Sequence, residues 1–490
     1  MTVYLAVGAQ RVHTWLVRTP ELRLLRGASA ALSAQTDINA PAMKKVLADL
    51  RLRACSEAGN VDGVVVAEAD SLDTARSAAP RLVRHLAGAL PGVEWSAWRV
   101  SASTYASAVA AALQGSVARL VAAPHRYDQP VADACRGCGA EMRGLSNDLG
   151  PDCAARQGAT RAPRALLDDL KGDWPDTFDD LAGRGGDPQQ RRVRAVGRKE
   201  SSSQLALVNA DGNKLGSFFE ALNTFDLDVP NLRNRAPGDV DFATRTAVEI
   251  AASSIHEPTD RHKSAIPHYV GGDDVLVSVP AARAWTFVTE LIRGFSTLQD
   301  TLRACLACDI PEEGAARELL DRIAELSLGV GVAFTHATHP VSDATVHAEL
   351  ALKAAKREFR GQAAGIAWVD LTADGLTGAR AGRRWIQVVS ADEAFRQLLP
   401  TPVGASIAEQ AALEVFALPP AARHRLGQIL RDSSLGAAAG RVSTWAGRRA
   451  HDGAAVPKAI SQLAQDDTDR LRALLSRARW WPRANREDQP

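Results

Sequence analysis

At 490 residues the chain is long enough for about three domains of the usual ~100–200 residues, each burying its own core. Lys plus Arg (58) and Asp plus Glu (57) nearly cancel, which excludes a globally polyanion-seeking protein and leaves any nucleic-acid contact to local patches. With 46% hydrophobic residues, no basic leader and no apolar run near the ~20 residues of a span, the expected protein is soluble, cytoplasmic and without a membrane partner.

The first region, 1–125, alternates strands and helices. "VYLAVG" reads as a strand, "RVHTWLVRTPELRLL" as a helix, "VDGVVVAEAD" as a buried strand, "SLDTARSAAPRLVRHLAGAL" as an amphipathic helix, "VEWSAWRV" as a strand and "STYASAVAAALQ" as a further helix. This alternation implies a mixed α/β layer.

The second region, 126–202, holds three of the six cysteines, Cys135, Cys138 and Cys153. A C-x-x-C knuckle followed by a third cysteine opening a helix matches a treble-clef-type structural Zn²⁺ site, since thiolates suit zinc and reduced cysteines suit the cytoplasm. Three thiolates are one ligand short, and His125, Asp133, Asp148 and Asp152 are the candidates for the fourth; the alternative is a site that has lost its metal and keeps buried cysteines. Cys305 and Cys308, in "CLAC", read as core. The region ends in a Gly- and Arg-rich stretch with little to bury, whose Arg191, Arg192, Arg194, Arg198 and Lys199 suit an RNA backbone or a solvated loop.

The third region, 203–380, has the element order β-α-β-β-α-β of a ferredoxin-like, or palm, domain, with helices inserted and the hairpin "AIPHYVGGDDVLVSVP" in its middle. From 381 to 490, Ala-, Leu- and Arg-rich periodic segments without strand signals predict a helical domain. "YLAVGAQRVHTWLV" and "LALVNADGNKLGSFF" each run from a strand through a small-residue turn into a helix, so the first and third regions are candidate copies of one unit.

The hairpin places Gly271 and Gly272 where the chain turns sharply or something approaches closely, with Asp273 and Asp274 beside them. Asp211 ends the strand that would pair with this hairpin. Three carboxylates at one sheet edge are costly unless a cation neutralises them. Hard oxygen ligands favour Mg²⁺ or Mn²⁺, and such a site suits two-metal phosphoryl transfer. The same four letters also make an ordinary solvated turn; Asp211 on the partner strand is what shifts the balance.

Asp211-Gly212-Asn213 through Gly216, the "GGDD" hairpin, and "AFTHATHP" followed by "ALKAAKREF" and "GIAWVDL" resemble the second palm of the large polymerase/cyclase-type subunit of type III CRISPR effector complexes. The opening "AVGAQRVHTWLVRTPELRLLRGASAALS", with Gly27-Ala28-Ser29, is similar to the start of that family's first palm. The resemblance implies an α+β chain of palm, zinc module, palm and helical C-terminal domain. It implies ATP bound between the palms, two Mg²⁺ or Mn²⁺ ions on Asp211, Asp273 and Asp274, and nucleotide contacts from Gly212, Asn213, Gly271, Gly272 and Lys356. It further implies joining of ATP into cyclic oligoadenylates when a complex of guide RNA and other effector subunits engages target RNA.

Where many members begin with a nuclease domain carrying a His-Asp pair, this sequence opens on the palm, so no DNase activity of its own is expected. Asn213 stands where many members have another acid, and the first palm has only "AEADSLD" near an acid pair, so it is expected to bind nucleotide without chemistry. Lys356 and Lys353 lie on the helix after "HATHP"; Lys356 matches the family's phosphate-reaching lysine, and the plain alternative is a solvated lysine. Two other functions stay open. One is a stand-alone palm cyclase making cyclic dinucleotides without guide RNA; the other is a scaffold with a silent site. GTP use is not excluded.

Overall fold

The computed structural model describes residues 1–113, 119–122, 133–139, 141–143, 148–160, 166–182, 203–224, 230–307, 314–374, 386–392, 407–432, 435–451 and 457–478. The Arg191–Lys199 cluster, His125 and Cys308 lie outside them. Two sheets organise the chain. The first contains β1 (Thr2–Gln10), β2 (Leu52–Ala54), β3 (Val64–Ala69), β4 (Glu94–Ala102) and β5 (Arg119–Ala122) in the spatial order β2-β3-β1-β4-β5. The second contains β6 (Gln204–Asn213), β7 (Ile266–Gly271), β8 (Asp274–Pro280), β9 (Ser327–His336), β10 (Gly365–Asp370) and β11 (Gln387–Ser390) in the order β11-β10-β9-β6-β8-β7.

Taking four strands from each, the two sheets have one topology. The first strand sits centrally, a hairpin lies to one side of it with the hairpin's second strand adjacent, and the fourth strand pairs on the other side, all antiparallel. This is the ferredoxin-like arrangement, and its recurrence supports the reading of the two regions as copies. Each sheet carries one extra edge: β5 on the first, and the parallel β10 followed by β11 on the second.

The strand alternation of β6 divides the second sheet's two sides. Ala206, Val208 and Ala210 belong to the large core built with helices Pro230–Ser254 and Ala284–Ala307, while Leu207 belongs to a smaller one under helix Val341–Glu358. Gly331 of β9 lets that last helix lie close: a Cβ there would stand 2.1 Å from the Ala348 carbonyl oxygen.

Three differences from the sequence reading have local causes. "RVHTWLVRTPELRLL" is not one helix but Val12–Leu16 and Leu22–Thr36, broken around Pro20, whose ring and missing N–H disfavour a helix interior. Gly27-Ala28-Ser29 lies inside the second of these. Gly27 is the crossing point of helix Pro151–Ala159, whose Arg156 carbonyl oxygen would be 2.0 Å from a Cβ. Lastly β11 pairs with β10, so the palm sheet reaches past the boundary drawn at 380; four residues are too few to show a period. Beyond it come the expected helices, with their own core around Leu426, Val442, Ile460 and Leu471, tied to the palm by a hydrogen bond from Trp368 to Ser476 at 2.9 Å. None of the described helices is long and apolar enough to cross a membrane.

Candidate functional site

The acidic site forms where β6 ends beside the β7–β8 turn. β6 pairs with β8 in a register ending at Ala210↔Val275, so the next step of the ladder sets Asp211 beside Asp274. Asp211 does not end the strand; β6 runs on to Asn213 because Asp211, Gly212 and Asn213 continue their pairing with β9. The turn closes at Gly271↔Asp274, and Gly272 takes the left-handed φ of 61° that glycine tolerates freely. The second glycine has another purpose. A Cβ on Gly271 would lie 3.0 Å from the Tyr269 hydroxyl and 3.6 Å from the backbone oxygen of Asp62, a residue of the first palm. Gly212 is the third small residue the site requires, since a Cβ there would meet Asp273 Oδ2 at 2.8 Å.

The three predicted carboxylates converge, and their electrostatics show it. The Asp273 carboxyl is pushed up to about 7, first by burial and then by the charge of Asp211, with which it also shares a hydrogen bond. Asp274 is pushed up to about 6, again by burial and then by Asp211, with Lys356 pulling the other way. Carboxyls raised by burial and mutual repulsion would give up their protons to solvent on binding a cation, and the oxygen-only donor set suits Mg²⁺ or Mn²⁺. The residues present therefore fit divalent metal.

Lys356 is in the site rather than in solvent. Its Nζ donates to Asp211 Oδ2 at 2.5 Å and to the Gly212 carbonyl at 3.0 Å, and its stem runs over Gly329, where a Cβ would be 3.2 Å from Cγ. Lys353 instead pairs with Glu349 one helical turn back and is largely exposed. Asn213 is 3% exposed, and its amide donates to Ser327 Oγ at 3.0 Å and to the Ala363 carbonyl at 3.3 Å. An acid there would be left against a carbonyl, which gives Asn213 a structural role.

Four residues absent from the sequence reading surround the turn: His13, Tyr269, Asp241 and Arg245. The His13 ring meets the Tyr269 ring edge-on with centroids 5.4 Å apart. Burial keeps His13 below its usual value even though the charges of Glu349 and Asp211 oppose this. The first palm thus presents a neutral imidazole at the edge of the second palm's acids. No periodicity or spacing marks such residues, because they meet only once two domains pack.

The zinc module is built as expected, with one ligand corrected. Sγ of Cys135, Cys138 and Cys153 and a carboxylate oxygen of Glu141 all lie within 4.8 Å of one another, a cluster able to hold a metal ion. The knuckle is shaped by Gly139 N–H donating to the Cys135 carbonyl at 2.8 Å, and Gly150 N–H donates to Cys135 Sγ at 3.1 Å. Burial, followed by the charges of Cys138 and Cys135, pushes the Cys153 thiol far up, the mutual repulsion that a shared cation relieves.

Of the proposed fourth ligands, Asp152 is engaged elsewhere: it is fully buried and accepts from Arg156 Nε at 2.8 Å, Arg18 at 3.0 Å, Trp15 Nε1 at 3.0 Å and Gly92 N–H at 3.2 Å. Asp133 and Asp148 are exposed partners of Arg143. Glu141, three residues past Cys138, was missed because a lone Glu after a knuckle carries no spacing signal. The expected result is one zinc per chain after chelator washing. Glu141→Ala is expected to weaken retention about 10–100-fold in a competitive chelator titration, with Asp133→Ala unchanged.

An acid trio on a palm sheet with a lysine at its edge defines the class as palm-domain proteins. Residues 204–364 match the family model described as "Cas10/Cmr2, second palm domain", so this segment of the chain is similar to that domain. A comparison with curated proteins finds no match. Among solved structures, the Csm1-Csm4 cassette in complex with AMPPNP is similar at 11% identity and a TM-score of 0.49, covering 97% of this chain and 70% of that one. The apo Csm1-Csm4 cassette is similar at 11% identity and a TM-score of 0.42, covering 73% and 53%. The cassette in complex with cA4 is similar at 12% identity and 0.43, with the same coverage. The chain spans about half the length of the apo cassette chain that it matches.

Proposed function

We propose that this chain is a nucleotidyltransferase that joins ATP units into cyclic oligoadenylates when a type III CRISPR effector complex binds target RNA, working in the cytoplasm with guide RNA and other effector subunits. The observation that carries the reading is the convergence of Asp211, Asp273 and Asp274 beside Lys356 within the segment that matches the Cas10/Cmr2 second palm. Half-buried carboxyls pushed above their ordinary range by burial and by one another favour this reading over an ordinary solvated turn.

In this reading Asp211, Asp273 and Asp274 hold two Mg²⁺ or Mn²⁺ ions, and Cys135, Cys138, Cys153 and Glu141 hold a structural Zn²⁺. Bound divalent cations at the acids supply activation of an attacking hydroxyl and stabilisation of the leaving pyrophosphate. The chain's own residues do the rest. Gly271 and Gly212 let Tyr269, Asp62 and Asp273 pack closely, and Gly272 makes the turn, which together set the acids where nucleotide phosphates would approach. Lys356 holds Asp211 in place through its ammonium, which would also be the nearest cationic group for a nucleotide phosphate at the acids. The first palm closes the site from its edge with His13.

The test is incubation of the purified complex with ATP, Mg²⁺ and target RNA, followed by mass analysis. Cyclic oligoadenylates dependent on target RNA support the reading; cyclic dinucleotides made by the lone chain would replace it with the stand-alone alternative. Lys356→Ala is expected to slow synthesis about 10–100-fold, equivalent to about 1.4–2.7 kcal/mol of lost transition-state stabilisation. A wild-type rate in that variant would return Lys356 to a solvent role.

A further inference from the structure

The acidic turn is held by residues outside it, and the holders span both palms. From helix Pro230–Ser254, Asp241 Oδ1 accepts the Gly272 N–H at 3.0 Å, and its other oxygen accepts from Arg245 Nε at 2.8 Å. Arg245 Nη2 also donates to the Val270 carbonyl at 3.3 Å, just before the turn, and lies 3.4 Å from Asp62 Oδ1. Asp62 belongs to the first palm, in the turn leading into β3. Its backbone oxygen accepts the Tyr269 hydroxyl at 3.4 Å, and its carboxylate accepts from Ser33 on helix Leu22–Thr36.

We propose that Arg245, bridging Asp62 of the first palm to Asp241 and the Val270 carbonyl of the second, is a positioning residue that makes the geometry of the Gly271–Asp274 turn depend on how the first palm is seated. The proposal rests on the reading of this turn as a metal-binding, nucleotide-joining site.

Two features separate a positioning role from simple support of the fold. The strands on either side of the turn are secured without the relay, because Val270, Val275 and Val277 are buried in the main core. The turn tip is not packed in that core: beyond the Gly271↔Asp274 pair, the Gly272 N–H is held by a hydrogen bond to Asp241, and glycine at this φ resists rotation least. The side chains of Asp62, Asp241 and Arg245 are 16%, 11% and 24% exposed, so the ion pairs are shielded enough to direct geometry. If the first palm shifts, Arg245 loses Asp62 and keeps Asp241 alone, and the two carboxylates no longer share a fixed cation. The Asp241 carboxylate can then leave Gly272, and Asp273 and Asp274 rotate with the turn.

The experiment uses the full chain, in its complex, and Mn²⁺ as probe, read by electron paramagnetic resonance. Wild type is expected to bind Mn²⁺ in a manner lost with Asp273→Asn/Asp274→Asn. Asp62→Ala and Arg245→Gln are each expected to weaken that binding about 10-fold and to lower kcat by a similar factor with KM for ATP little changed, with melting temperature close to wild type. Arg245→Lys should recover part of the affinity, since a lysine can satisfy one of the two acids. The double variant Asp62→Ala/Arg245→Gln should be no worse than Arg245→Gln alone, as for residues acting through one another. Wild-type Mn²⁺ affinity and turnover in Asp62→Ala would overturn the relay while leaving the site reading intact. Absence of Mn²⁺ binding in wild type would instead overturn the site reading and the relay with it.

Discussion

Replacing Asp273 and Asp274 together by Asn is expected to reduce oligoadenylate synthesis by at least about 10³-fold while making the metal-free protein more stable at pH 8. The loss follows from removing two of three cation ligands, which costs nucleophile activation and leaving-group stabilisation at once. The gain follows from the same burial. In the folded chain Asp273 and Asp274 sit at about 7 and about 6, above the ordinary 3.8 of an aspartate. The native state therefore holds protons that the unfolded chain has already released. Stability falls as pH rises from about 4 to about 7, and the penalty is complete above the folded values. Asn carries no charge, so the variant escapes that penalty at pH 8 and gains nothing at pH 4.

After a discount for partial solvent screening, the difference is on the order of 1–3 kcal/mol, a rise of several degrees in melting temperature. Adding Mg²⁺ should stabilise wild type and leave the variant unmoved. Melting curves at pH 4 and 8, with chelator and with Mg²⁺, measure all of this. A variant less stable than wild type at pH 8 in chelator would mean that the carboxyls are not in conflict. Near-normal synthesis by an assembled variant would mean that they are not the chemistry.

What could be read from the sequence was what lies close together in it. The "GGDD" turn and the cysteine knuckle are local patterns that emerged where they were read, and Asp211 lies on the expected strand, two residues short of its end. The element order β-α-β-β-α-β was legible because long, strongly alternating strands such as Gln204–Asn213 and Ser327–His336 carry their own signal. β2, β5 and β11 were not, since three or four residues cannot display a period. The interdomain contacts were least accessible. Asp62 and Arg245 are 183 positions apart, and nothing in either neighbourhood names the other. Lys356 was placed by resemblance alone, yet the distance to Asp211 is a direct physical warrant for its place in the site. For Asn213 the resemblance implied nucleotide contact, and the geometry adds that its amide nitrogen donates to Ser327 and the Ala363 carbonyl.

Asp152→Ala is expected to be the most destabilising single change outside the main cores, by about 3–5 kcal/mol. Asp152 and Arg156 are both fully buried one helical turn apart, and they form the seam between the zinc module and the first palm. Arg156 donates to the Leu16 carbonyl at 3.1 Å and to the Trp15 carbonyl at 2.7 Å, backbone acceptors at the end of helix Val12–Leu16, the second of which also takes the Arg18 N–H at 3.3 Å. Its guanidinium also lies over the Trp15 ring, 4.4 Å from the centroid. Asp152 in turn takes the Trp15 indole N–H and the Gly92 N–H, so a single carboxylate ties together three segments of the chain. Removing it leaves the Arg156 charge buried and opposed by nothing but dipoles, with Arg18 keeping only Glu141. Because Arg156 and Asp152 act as one unit, Asp152→Ala/Arg156→Ala should cost little more than the worse of the two single changes. Urea unfolding of the three variants provides the comparison. A loss under about 1 kcal/mol for Asp152→Ala would show that the module is seated by its apolar contacts, through Leu24 against Cys135 and Cys153, and that the buried pair serves only to fix its orientation.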